Sequence, residues 1–168
     1  MPPPSDEKSI AVCPGTYDPI TLGHVDVITR TARIFDEVVV AVVNLPVRKG
    51  STLFDVDERL GFIQDAVGGL GNVRAEPFAT LIVDFARSIG ARTIVKGLRA
   101  ISDFEYETEM NQLNRQQDPE IETLYMMASP QYSFLSSSGI KELAMFGGNI
   151  DEMVTPKVSL RLKEELAR

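Results

Sequence analysis

Cysteine is almost absent from this chain: Cys13 stands alone, so no intramolecular disulfide can form and no cysteine-based zinc site can be built. Long apolar runs are missing too. The longest, Val38 to Val43, spans six residues, against about 20 for a membrane-spanning helix. Met1 to Lys8 is polar and proline-rich, without the apolar stretch of a secretory signal. These absences point to a cytoplasmic protein with no membrane partner. Cations are scarce as well, with 17 Lys and Arg against 24 Asp and Glu and a formal net charge of −7. A general nucleic-acid binder needs a basic face for counterion release, so nucleic acid is not an expected partner. A small anionic ligand remains compatible, provided the few cations gather in one pocket.

What is present suits one globular domain. The chain has 168 residues, 43% of them hydrophobic, and a chain this long buries roughly 70% of its unfolded surface. Met1 to Lys8 (residues 1–8) reads as a flexible tail, because three consecutive prolines lack amide donors and nothing there can pack. Residues 9–168 form the domain. Ser9 to Cys13 is a short strand, and Thr21 to Phe35 carries Val25, Ile28, Ala32 and Phe35 at helical spacing. Glu37 to Val43 is β-branched almost throughout, as a strand buried on both faces should be. Asp55 to Glu58 is a capping box that opens a helix to about Val67, and Val73 to Ala75 is a weak strand. Thr80 is a candidate cap for a helix through Ile89, with Gly90 as its C-terminal glycine. Thr93 to Lys96 is a strand ending in a Gly-Leu-Arg loop, and Ser102 to Glu105 is a second capping box, for a helix to about Gln117. Glu122 to Met127 is the fifth strand. Ser136 to Ser138 lead into a helix through Phe146, and Thr155-Pro156 opens the last one. Such alternation calls for right-handed βαβ units. The expected fold is a single doubly wound, Rossmann-like α/β domain, with a five-stranded, mainly parallel sheet and helices on both faces.

Ligands of such sheets bind beyond the carboxyl ends of the strands. Three segments fall there: Pro14 to His24, Lys96 to Arg99, and Tyr132 to Ser138. In the first, Gly15 allows close backbone approach. Gly23 and His24 occupy the first turn of a helix, where free amides and the dipole favour phosphate, so the chain's only histidine is expected at an anion site. An ordinary strand–turn–helix with a capping histidine is the plainer account, and the surrounding motif weighs against it. Lys96 and Arg99 place two cations three residues apart around Gly97, able to converge on one polyphosphate. Tyr132 to Ser138 offers hydroxyls and successive amides ahead of a helix, a cradle for a nucleotide.

Thr21-Leu22-Gly23-His24 resembles the T/H-x-G-H signature of the nucleotidyltransferase superfamily, and Pro14 to His24 as a whole is similar to the phosphopantetheine adenylyltransferase family. The similarity continues through Lys96 to Arg99, Asp103 to Glu107, Met110 to Arg115 and Tyr132 to Ser138, in order and with similar spacing. The resemblance implies ATP and 4′-phosphopantetheine as substrates, Mg²⁺ with the ATP, a homohexamer, and coenzyme A as a feedback ligand. It implies His24, Lys96 and Arg99 as catalytic residues. Its ATP-binding positions correspond to Thr16, Tyr17, His24, Gly97, Leu98, Arg99 and Glu107, together with Tyr132, Ser133, Phe134, Leu135, Ser136, Ser137 and Ser138. On the acceptor side it implies Lys96, the Thr16 hydroxyl against the 4′-phosphate, and Leu81 and Ile82 beside the pantetheine arm. Asn114, Arg115 and Glu142 are further candidates, near the pantetheine end or an interface. One departure stands out. Where the family has a lysine two residues after a loop proline, Pro46-Val47 is followed here by Arg48 and then Lys49. Arg48 is the favoured acceptor-side cation if the extra loop residues fall at Gly50 to Thr52, where a surface loop tolerates insertion; Lys49 is the other candidate.

A covalent route lacks support, since Cys13 lies in a strand and no serine has a histidine–acid partner. In-line transfer needs none. A phosphate monoester, with its second pKa about 6, is already ionised near neutrality, so positioning and charge neutralisation around the α-phosphorus remain. The sequence has no dense carboxylate cluster, so Mg²⁺ is expected to arrive on ATP. Two other readings stay open: a related nucleotidyltransferase with another phosphorylated acceptor, and a nucleotide-binding sensor without catalysis.

Overall fold

In the computed structural model, which describes residues 8–45 and 52–166, the valine run Glu37–Val43 is a strand, β2, sealed on both faces. Val38, Val40 and Val42 pack into one layer, and Val39 and Ala41 into the other, so polar residues would be costly at either parity. In chain order the elements are β1 (Ile10–Gly15), α1 (Leu22–Ala32), β2, α2 (Val56–Val67), β3 (Val73–Phe78), α3 (Ile82–Ser88), β4 (Thr93–Leu98), α4 (Ile101–Gln117), β5 (Glu122–Met127), α5 (Ser137–Met145) and α6 (Pro156–Leu166). A 3₁₀ turn, Pro130–Tyr132, precedes α5. The proposed tail, apart from Lys8, and the pair Arg48 and Lys49 lie outside the described residues.

The strand order is β3-β2-β1-β4-β5, and every pair is parallel. Val12 of β1 lies between Val39 and Ile94 of its neighbours. The chain winds outward from β1 to β3, then crosses back and winds the other way through β4 and β5. The order therefore reverses between β1 and β4, and a crevice opens beyond their carboxyl ends.

The two faces are covered unequally. Ile28, Ile63, Ile140 and Leu162 of α1, α2, α5 and α6 pack on Cys13, Val40 and Val95. On the opposite face Val83, Phe85 and Ala86 of α3 cover Val12, Val39 and Ile94. Helix α4 buries none of its residues; Phe104 meets the edge of Tyr125 at 5.7 Å between ring centres.

Several local expectations change in the fold. Thr80 does not cap α3: Leu81 holds the cap position without a side-chain bond, and the Thr80 hydroxyl donates to the Leu81 carbonyl. The Ser102 box is not formed either. Helix α4 starts two residues earlier than that box requires, with Ala100 at its cap, and the Asp103 carboxylate accepts the Arg99 amide at 3.1 Å instead. At α2 the Asp55 half of the box holds, accepting from the Glu58 amide at 2.8 Å, while the Glu58 carboxylate pairs with Arg161 of α6. Strand β4 runs on through Leu98, so Gly97 is a strand residue rather than a bend. A Cβ there would sit 3.0 Å from Val27 of α1, so close packing of β4 on α1 is what a side chain at this position would disturb.

Candidate active site

The first segment is shaped from β1 outward. Beyond Gly15 the chain doubles back through Tyr17, whose φ is 50°, and the Tyr17 ring returns over Gly15, where a Cβ would come within 2.9 Å of it. The Tyr17 hydroxyl donates to the Cys13 carbonyl at 2.9 Å. Thr21 then caps α1. Its hydroxyl accepts from the His24 amide at 3.3 Å, while its own amide donates to His24 Nδ1 at 3.0 Å. A backbone amide can only donate, so Nδ1 must offer its lone pair and the neutral ring carries its proton on Nε2. Burial, helped by the nearby Arg99 charge, lowers the His24 pKa to about 4. His24 is therefore a neutral N–H donor at the N-terminus of α1, with the Tyr17 ring edge-on at 5.0 Å.

The second and third segments close on the first. Lys96 of β4 pairs with Glu107 of α4 at 3.2 Å. Arg99 pairs with Asp103 at 3.2 Å and donates to the Leu135 carbonyl at 3.1 Å. The chain after β5 is held on α1, where Asp26 accepts from the Ser129 hydroxyl at 2.8 Å and Arg30 donates to the Met127 carbonyl at 2.8 Å. Ser136 caps α5 by accepting from the Gly139 amide, and Ser137 donates to the Pro19 carbonyl at 2.8 Å. These bonds enclose a cavity of about 730 Å³ at the β1/β4 crevice. It is flanked by two helix N-termini, a neutral imidazole N–H and two cations, an arrangement suited to a polyphosphate.

Of the residues singled out in the sequence, Thr16, Tyr17, His24, Lys96, Gly97, Arg99 and Glu107 border this cavity. So do Tyr132, Leu135, Ser136, Ser137 and Ser138, with Ile82 and Asn114 at its margins. Leu98 turns into the core, Phe134 is 69% exposed, and Ser133 bonds back to Pro130. Leu81 is half exposed and, like Leu98, Ser133, Phe134, Arg115 and Glu142, lines neither this cavity nor its neighbour.

A second cavity, of about 880 Å³, adjoins the first through Thr16, Tyr17, His24, Ser137 and Ser138. Leu45 and Thr52, the described residues on either side of Arg48 and Lys49, both line it. Three charged residues outside the candidate site residues read from the sequence also lie here. Asp18, 4% exposed, accepts from the Leu53 and Phe54 amides at 2.8 and 2.9 Å and from Lys141 at 2.8 Å. Arg59, also 4% exposed, donates only to backbone carbonyls among the described residues. Asp18 was legible as part of the first segment; Arg59 and Lys141 read as ordinary helix residues. Among the described residues no three His, Cys, Asp or Glu side chains gather as a metal cage, and no helix is long and apolar enough to cross a membrane. The Cys13 thiol, buried beneath the site, has its pKa pushed up to about 12 by that burial, which disfavours its nucleophilic thiolate.

Comparison with known proteins gives consistent matches. The cytidylyltransferase-like family model matches residues 12–143. A phosphopantetheine adenylyltransferase of Heliobacterium modesticaldum is 50% identical over 157 residues, 94% of this chain and 92% of the relative. One from Symbiobacterium thermophilum is 50% identical over 158 residues, 94% of this chain and 96% of the relative. Among solved structures, one described as a nicotinate-nucleotide adenylyltransferase of Vibrio parahaemolyticus superimposes with a TM-score of 0.64 at 20% identity. It covers 94% of this chain and 99% of that one, a likeness of fold.

Proposed function

Because the chain belongs to the phosphopantetheine adenylyltransferases, within the cytidylyltransferase-like family, we propose that its paired cavities carry out that transfer: the adenylyl group of ATP passes to 4′-phosphopantetheine, giving dephospho-coenzyme A and pyrophosphate. Within this structure, the observation that carries the reading is the convergence of tautomer-locked His24, Lys96, Arg99 and the capped start of α5 on one cavity at the strand-order reversal.

The chemistry follows from these groups. An ionised oxygen of the acceptor phosphate attacks the α-phosphorus of ATP, the bond to the β-phosphate oxygen breaks, and pyrophosphate leaves with that electron pair. No general base is required, since the nucleophile is ionised at neutral pH with its second pKa about 6. His24 Nε2–H donates to the α-phosphate oxygens as charge builds there, and its neutrality spares the site a proton to lose. Lys96 exchanges the Glu107 carboxylate for phosphate oxygens, and Arg99 steadies the departing pyrophosphate. Magnesium enters as MgATP, part of the substrate. The second cavity takes the acceptor, with Thr16 between the two halves and Arg48 or Lys49 as the cation of that side. The same reading includes a cytoplasmic homohexamer and coenzyme A as a feedback ligand.

A coupled pyrophosphate assay across phosphorylated acceptors tests it. The expected result is rapid release with 4′-phosphopantetheine and MgATP; much faster release with nicotinamide mononucleotide would overturn the assignment of acceptor. Sedimentation velocity and inhibition by coenzyme A test the assembly and the feedback.

A further inference from the structure

Arg59 is the only buried cation among the described residues. It takes part in none of their ion pairs. Its bonds run to neutral carbonyls on three segments: Nη1 to Thr16 at 2.8 Å and Val43 at 3.0 Å, Nε to Phe54 at 3.2 Å and Asp55 at 3.3 Å. Carbonyls satisfy its Nη1 and Nε donors but leave its charge without a bonded counter-charge among the described residues, an arrangement that ordinarily costs stability. Asp18 and Asp55 help to hold the charge from a distance, against the burial that opposes it. The side chain lines the second cavity, and Nη2 has no partner among the described residues.

We propose that Arg59 is a positioning residue for the acceptor half of the site: it locks the Thr16 carbonyl, and so the Thr16 amide and hydroxyl, in the register that receives an anionic acceptor group. Its reach across the β1 loop, the end of β2 and the start of α2 makes Thr16 move with the walls of that cavity. Together with Lys141, Arg59 balances the Asp18 and Asp55 carboxylates that line the same cavity, so an anionic acceptor group meets no net repulsion from them. Bonding Thr16 and Val43 through Nη1 while Nε holds Phe54 and Asp55 also requires the planar guanidinium, which an ammonium on a flexible stem cannot replace. The inference rests on the transfer reaction proposed above.

The test is steady-state kinetics of Arg59→Met and Arg59→Lys with each substrate varied in turn, beside thermal melting. Arg59→Met should raise KM for 4′-phosphopantetheine by at least tenfold, with KM for ATP within about threefold of the native value. Arg59→Lys, which keeps the charge but not the span, should raise acceptor KM by about threefold to tenfold. Should Arg59→Met fail to fold, Arg59→Lys decides alone: native acceptor KM in that variant overturns the proposal. Equal rises in both KM values, or a fall in melting temperature with both KM values unchanged, would reduce Arg59 to a structural residue. A native chain that releases no pyrophosphate with 4′-phosphopantetheine removes the function and this inference together, whereas an active native chain with an unaltered Arg59→Met variant removes only the inference.

Discussion

The Thr21 amide donates to His24 Nδ1 at 3.0 Å, and the Thr21 hydroxyl lies 3.1 Å from the same nitrogen. The cap that starts α1 is thus also the device that assigns the imidazole proton to Nε2. Helix capping and orientation of the candidate oxyanion donor are one set of bonds.

This pairing sets the pH behaviour. With its folded pKa lowered to about 4 by burial and then by Arg99, His24 should remain neutral throughout the pH 5 to 8 window. As the chain has one histidine, its ring signals can be followed by NMR without assignment. They should hold steady from pH 8 to 5 and shift only near 4; a midpoint at 6.5 would contradict the buried, amide-bonded ring. The stability sign follows. Between the ordinary value and the lowered one the unfolded chain binds more protons, so this contribution is present above pH 6.5 and is lost as pH falls toward 4.

Replacing the ring tests its role. His24→Ala should reduce kcat by about 10² to 10³, the range for losing one preorganised donor, while ATP affinity measured by calorimetry falls much less. A contact that strengthens only as charge develops in the transition state gives that split. Equal losses in affinity and rate would make His24 an ordinary binding group.

Asp18 and Lys141 form a partly buried ion pair at 2.8 Å, with the carboxylate also holding the Leu53 and Phe54 amides. Asp18→Ala strands three donors and should cost about 3–5 kcal/mol, as breaking one side of a buried pair does. Urea denaturation measures this. Asp18→Asn, which keeps an acceptor for one amide, should cost less, and a larger loss in Asn than in Ala would refute the hydrogen-bonding account.

Two anionic substrates in adjoining cavities need a cation on the acceptor side. Arg48→Ala should raise KM for 4′-phosphopantetheine and barely change KM for ATP, and Lys49→Ala should do much less. The reverse order would move the loop insertion ahead of residue 48 and leave the enzyme assignment intact.

Local sequence determined much of this protein. A β-branched run with no polar parity can only be a doubly covered strand, and Thr21 three residues before His24 places cap and donor on one helical turn. The sequence also located the three phosphate-side segments, because ligand crevices follow from strand ends once the alternation is read. Tertiary structure alone decided what joins them. Asp18 and Lys141 lie 123 residues apart, and Arg59 binds carbonyls on segments that come together only when β1, β2 and α2 pack side by side. Ser102 and Glu105 carried a local cap signal, but a competing local set of bonds, Asp103 to Arg99 four residues back, accompanies a helix that starts ahead of the box. Gly97 looked like a bend and proved to be a close approach to Val27. Periodicity and capping are short-range and leave their record in neighbouring residues, whereas buried charges are placed by backbone groups whose proximity exists only in the folded chain.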